Sequence, residues 1–107
     1  MKEILLTIAD TGSEKNIGIG DSVKLVLEEV STSGYVWEID GELPEQLKMT
    51  QTEYSLKHGN TIGGSGNSIL NLQAVEKGCA VLQLKYWQPW NGEASVENRF
   101  NISFVIE

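Results

Sequence analysis

The sequence predicts an all-β sandwich of about seven to eight strands, and three observations predict it. Apolar residues recur at every second position along most of the chain, the period of a strand with one buried face. No window repeats them at the 3.6-residue spacing of an amphipathic helix. Clusters of glycine, proline, asparagine and aspartate separate the alternating runs, as turns do. The 107 residues suit a single domain, 1–107, that can bury its own core.

Ile4, Leu6 and Ile8 open the chain as an alternating run. Thr11–Asn16 reads as a polar turn and Ile17–Ile19 as a short apolar piece. Val23, Leu25 and Leu27 alternate as a strand with one buried face. Ser31, Thr32, Ser33 and Gly34 are small and polar, with a glycine free to take positive φ, and read as a tight loop. Tyr35, Trp37 and Ile39 share one face of the following strand. Trp37 is large enough to be the expected centre of a small β core. Asp40–Pro44 is a turn, with room for a single helical turn over Leu43–Leu47.

Leu47–Leu56, rich in Thr and Tyr, is the next strand, followed by a long glycine-rich loop over Lys57–Asn67. Ile69–Val75 places Leu70, Leu72 and Ala74 on one face. After the turn Glu76-Lys77-Gly78, Cys79–Tyr86 aligns Ala80, Leu82, Leu84 and Tyr86. Trp87–Glu97 reads as an exposed connection. The last strand, Arg99–Ile106, alternates Phe100, Ile102, Phe104 and Ile106. Short strands at this spacing favour an immunoglobulin-like arrangement. The expected core is Trp37 with Leu25, Leu27, Leu70, Leu72, Leu82, Leu84, Phe100, Ile102 and Phe104.

A net charge of −7 argues against nucleic acid as a partner, which would require a basic face. No apolar run approaches the ~20 residues of a membrane helix, so no membrane partner is expected. Cys79 is the single cysteine, which leaves no internal disulfide or cysteine metal cluster; at the start of an apolar strand it reads as a small buried hydrophobe. His58 is also single, and neither a nucleophile–base pair nor a carboxylate dyad nor a metal-ligand spacing can be assembled. An enzyme is therefore not expected, no cofactor is implied, and the free chain is expected to be a monomer. The opening Met-Lys-Glu-Ile-Leu-Leu-Thr-Ile is too short and polar for a secretory signal. Taken as complete, the chain would be cytoplasmic; taken as a mature fragment, it could be lysosomal or secreted.

In a Greek-key sandwich the connections after the second, fourth and sixth strands meet at one end. Here those are the chain's most unusual stretches: Val30–Gly34, Lys57–Asn67 and Trp87–Glu97. Thr61–Gly66 holds three glycines in four positions, which leaves backbone groups approachable. Without a following helix and a lysine it is no phosphate cradle. It is either a plain hairpin connection or a segment that bonds a partner through its backbone. Trp87-Gln88-Pro89-Trp90 sets two indoles around a proline that stiffens the loop. One ring is expected to fold back over the core end, and two exposed rings would make a contact site.

These three stretches resemble, in order, the motifs of the chagasin family of inhibitors of papain-like cysteine peptidases. The family pattern Asn-Pro-Thr-Thr-Gly-aromatic corresponds to Val30-Ser31-Thr32-Ser33-Gly34-Tyr35, Gly-x-Gly-Gly to Gly63-Gly64-Ser65-Gly66, and Arg-Pro-Trp to Gln88-Pro89-Trp90. The departures are Val30-Ser31 for Asn-Pro, Ser65 for a glycine and Gln88 for arginine. The resemblance implies an immunoglobulin-like sandwich that wedges three loops into a peptidase cleft without forming a covalent bond. Thr32, Ser33 and Gly34 would sit over the catalytic cysteine, Gly63, Gly64, Ser65 and Gly66 would run along one wall, and Trp90, supported by Pro89, would pack on the other, with Ser31, Tyr35 and Gln88 completing the peptidase-binding set. The alternative is an immunoglobulin-like module that binds a carbohydrate or a surface protein, stacking Trp87 and Trp90 on a sugar ring.

Overall fold

A computed structural model describes residues 1–30, 33–56 and 65–107. Its strands are β1 (Glu3–Thr7), β2 (Glu14–Ile17), β3 (Ser22–Val30), β4 (Val36–Ile39), β5 (Leu47–Leu56), β6 (Ser65–Ala74), β7 (Gly78–Trp87) and β8 (Asn98–Ile106). They form two four-stranded sheets, ordered β1-β3-β6-β5 and β2-β8-β7-β4. This is the expected immunoglobulin-like all-β sandwich. Among the described residues the helical pieces are three short 3₁₀ turns; the Leu43–Leu47 stretch is a hydrogen-bonded turn, with Leu47 N donating to Pro44 O.

Alternation places the core. One sheet turns Leu25, Leu27, Leu70 and Leu72 inward, the other Leu82, Leu84, Phe100, Ile102 and Phe104, all buried. The expected centre differs. Trp37 is only partly buried and packs on the periphery of this cluster, whereas Phe100 and Phe104 are fully buried. The reason lies in topology: Trp37 sits on β4, an edge strand of its sheet, while both phenylalanines sit on β8, an interior one. Cys79 also departs from expectation, for it is exposed. Its neighbour Ala80 takes the inward position, and a period of two turns the thiol outward.

Two segments carry more strand than their composition suggests. The polar turn expected at Thr11–Asn16 overlaps β2, which runs parallel to β8 with Glu14 opposite Ser103 and Ile17 opposite Ile106. β1 runs parallel to β3 in the other sheet. The 3₁₀ turn Ile8–Asp10 carries the chain from one sheet to the other, so a single N-terminal run closes one side of the sandwich. The glycine-rich connection is also shorter than Lys57–Asn67. Ser65, Gly66 and Asn67 belong to β6, with Gly66 opposite Leu56 of β5 and Glu29 of β3.

Candidate functional site

The three unusual stretches leave the same end of the sandwich. β3 ends at Val30, which pairs with Ser65 at the start of β6. β5 ends opposite Gly66, and β4 begins at Val36 opposite Trp87, where β7 ends. The register therefore brings together the strand ends that flank the first and second loops on one sheet, and those that flank the first and third on the other. Ser31, Thr32, Gly63 and Gly64 lie outside the described residues, as does His58. Ser33, Gly34, Tyr35, Ser65, Gly66, Gln88, Pro89 and Trp90 lie within them.

The third loop is built from hydrogen bonds. Pro89–Asn91 and Glu93–Ser95 form two consecutive 3₁₀ turns. Pro89 at the first position suits the turn, because its fixed φ is already helical and its missing N–H had no partner to lose. Gly92 joins the two turns at φ 70°, a value that favours glycine. The Gln88 N–H donates to Ser95 Oγ at 2.9 Å, and the same hydroxyl lies 3.0 Å from Gln88 O and 2.7 Å from Gly92 O. Glu97 N returns the chain to β7 by donating to Tyr86 O at 2.9 Å.

A charged anchor fixes this loop to the sheet below. Lys85, buried on β7, donates to Glu93 Oε1 at 2.6 Å and lies 3.8 Å from Asp40 Oδ1. Its ammonium also sits 3.6 Å from the centroid of the Trp87 ring. Arg99 bridges the same two carboxylates, at 2.7 Å to Asp40 and 3.3 Å to Glu93. The hydrogen bond from Lys85, with help from Arg99, holds the Glu93 carboxyl below its ordinary range. A carboxyl with a lowered folded-state pKa contributes stability that is present above its unfolded pKa. That contribution is lost as pH falls through the folded value. Thermal melts from pH 7 to pH 3 should therefore show the Glu93→Gln protein losing less melting temperature on acidification than the parent. Equal losses would mean that this anchor adds nothing to stability.

The first loop is set by its neighbours. Tyr35 N donates to Ser33 Oγ at 3.1 Å, a local side-chain turn. The Tyr35 ring stacks on Tyr86 with centroids 5.4 Å apart, and Tyr86 stacks in turn on Trp37 at 5.0 Å. Trp37 Nε1 donates to Glu28 O at 3.0 Å, and Trp37 N donates to Glu29 Oε1 at 2.9 Å. Glu29 is itself buried, and Tyr54 of β5 donates its hydroxyl to Glu29 O at 3.1 Å. Trp37 thus ties the end of β3 to the start of β4, on either side of the loop.

The first and third loops touch directly. Gly34 has φ 80°, and a Cβ built on it would stand 2.8 Å from Trp90 Cζ2 and closer still to Cη2. Only glycine allows this seat, since it combines positive φ with an indole resting on the backbone. The rest of Trp90 faces outward, with 68% of the residue exposed. The expectation that one indole folds back over the end of the core is not met: Trp87 is half-buried but lies over Lys85 on the outer face of β7, outside the core cluster, and Trp90 is mostly exposed. Gln88 adds a second link, its Nε2 donating to Ser33 O at 3.0 Å. No local pattern signals that bond, which joins residues far apart in the chain. Among the described residues no group of His, Cys, Asp or Glu is placed to hold a metal ion.

Residues 16–104 match the sequence profile of the chagasin family of peptidase inhibitors, I42. Chagasin of Trypanosoma cruzi is 24% identical over 101 residues, which span 91% of this chain and 92% of that protein. A cysteine protease inhibitor from Entamoeba histolytica has the same fold, with a TM-score of 0.89 at 22% identity over 99% of this chain and 96% of its own. Amebosin shares it at a TM-score of 0.79 and 22% identity, over 96% of each chain. An inhibitor solved in complex with falcipain-2 shares it more distantly, at a TM-score of 0.64 and 14% identity over the whole of both chains. With a profile match from β2 to β8, this chain belongs to the chagasin family of peptidase inhibitors.

Proposed function

We propose that this chagasin-family inhibitor of cysteine peptidases acts by occlusion, pressing its three-loop end into the active-site cleft of a papain-like enzyme. The observation that carries the reading is Trp90, a large exposed ring fixed on the backbone of Gly34. An exposed aromatic held in one orientation gives up little conformational freedom on binding. The backbone of Ser33–Gly34, bare of bulky side chains, can approach a catalytic thiol closely without presenting an extended substrate strand. Ser31, Thr32 and the second-loop residues Gly63–Gly66 complete the wedge in this reading. Membership of an inhibitor family, not an enzyme family, agrees with it. The carbohydrate reading is weaker, because Lys85 covers a face of Trp87 and leaves one free indole where sugar stacking was expected to use two.

Papain and a fluorogenic peptide provide the test. The protein should inhibit reversibly, and papain whose thiol is capped by a small alkyl group should still bind it. The chain should also stay uncut between Val30 and Tyr35 after long incubation with active enzyme. Loss of all binding to the capped enzyme, or a clean cut in that loop, would replace occlusion with a covalent or substrate-like mode.

A further inference from the structure

Gln88 stands where the family motif has arginine, and its side chain does something an arginine could not. Its amide serves two partners at once. Nε2 donates to Ser33 O of the first loop at 3.0 Å, and Oε1 accepts from Asn91 Nδ2 of the third loop at 2.6 Å. Ser33 offers a carbonyl there, so the amide must present its NH₂ on that side. A guanidinium or ammonium could donate to Ser33 but could not accept from Asn91; a carboxylate could accept from Asn91 but could not donate to Ser33. Asparagine has the right groups on a shorter stem. The backbone of Gln88 is fixed independently by Ser95, so the side chain starts from a held position. Next to this link lies the seat of Trp90 on Gly34, the second contact between the same two loops.

We propose that Gln88 is a positioning residue: its amide straps the third loop to the first, so that Trp90 and the Ser33–Gly34 backbone meet a peptidase as one preformed edge. The inference rests on the occlusion reading for its effect on inhibition, but the strap itself is a property of the free protein. Its consequence follows from population arithmetic. If the strap is cut, the binding-competent arrangement becomes a fraction of the free ensemble, and apparent affinity falls by that fraction.

The experiment has two arms. In the first, papain inhibition is measured for the parent and for Gln88→Met, Gln88→Glu and Gln88→Arg. Gln88→Met removes both bonds at nearly constant length and should raise Ki roughly tenfold, the scale of one or two net hydrogen bonds. Gln88→Glu should be at least as poor, and Gln88→Arg, which keeps a donor for Ser33, should fall between. Melting temperatures should stay close to the parent's, since the strap spans two surface loops and not the core. In the second arm, the free protein is labelled with 5-fluorotryptophan and the Trp90 signal is identified by its loss in Trp90→Phe. Gln88→Met should move that ¹⁹F resonance toward the position of free fluorotryptophan. An unmoved resonance, or a Gln88→Met protein that inhibits as well as the parent, overturns the proposal. A parent that fails to inhibit papain at all overturns the occlusion reading instead, and the fluorine arm then decides the strap by itself.

Discussion

Replacing Trp90 by alanine should weaken inhibition of a papain-like peptidase by roughly 2–4 kcal/mol, the range of an interface hot spot. On the affinity scale that is about thirty- to a thousand-fold. Interfaces concentrate their energy in a few aromatic or arginine anchors, and this third loop has an indole and no arginine. The ring is mostly exposed when free, so it has apolar surface left to bury on a partner. Its contact with Gly34 is with backbone, outside the core cluster, so melting should change little. Trp87→Ala is the matched control. Its ring braces Lys85, so it should cost some stability and less inhibition. Melts run beside the inhibition assays separate the two effects. A Trp90→Ala protein that unfolds, or that folds and inhibits like the parent, would remove Trp90 as the anchor.

Phe100→Ala should destabilise the domain by about 3–5 kcal/mol, the cost of deleting a fully enclosed aromatic ring. The ring is completely buried on an interior strand of its sheet, within the core cluster, so its removal would leave a cavity inside the core. Stability of small domains is of order 5–15 kcal/mol, so this one change removes a large share. Trp37→Ala should cost less, because its indole is only partly buried at the edge. Urea denaturation of both variants gives the comparison. If Trp37→Ala proves the more damaging, the centre of the core lies at the edge strand after all.

That reversal between Trp37 and Phe100 marks the limit of what the sequence discloses. Alternation identifies which side of a strand faces inward, and it placed Leu25, Leu72, Leu82, Phe100 and Phe104 correctly. It does not say whether the strand is central or at an edge, and size alone favoured the tryptophan. β2 escaped notice for a related reason. Its four residues Glu-Lys-Asn-Ile have one buried position, Ile17, and the segment is held by a parallel neighbour from the far end of the chain. Ser65–Asn67 read as loop because glycine, serine and asparagine carry weak strand preference; two flanking strands supply the hydrogen bonds that override it. At the site, the motifs identified the loops. Gln88 read only as a departure from the motif's arginine, because its partner Ser33 is distant in sequence and close only in the folded chain.

The direction of the strands has a practical side. β1 begins with Glu3 opposite Ser22, at the start of β3, while β3 ends beside the first loop. β8 finishes with Ile106 opposite Gly78, at the start of β7, and β7 ends beside the third loop. Glu107 exchanges hydrogen bonds with Ile17 and Ile19 at that same base. Both ends of the described chain therefore emerge together at the pole opposite the loops. A tag, a surface linker or a second copy joined at either end would hang behind the loop end and leave Trp90 and Gly34 unobstructed. Two such domains joined through a flexible linker could each engage a peptidase, and on an enzyme with two sites the linker length would set the effective concentration of the second contact.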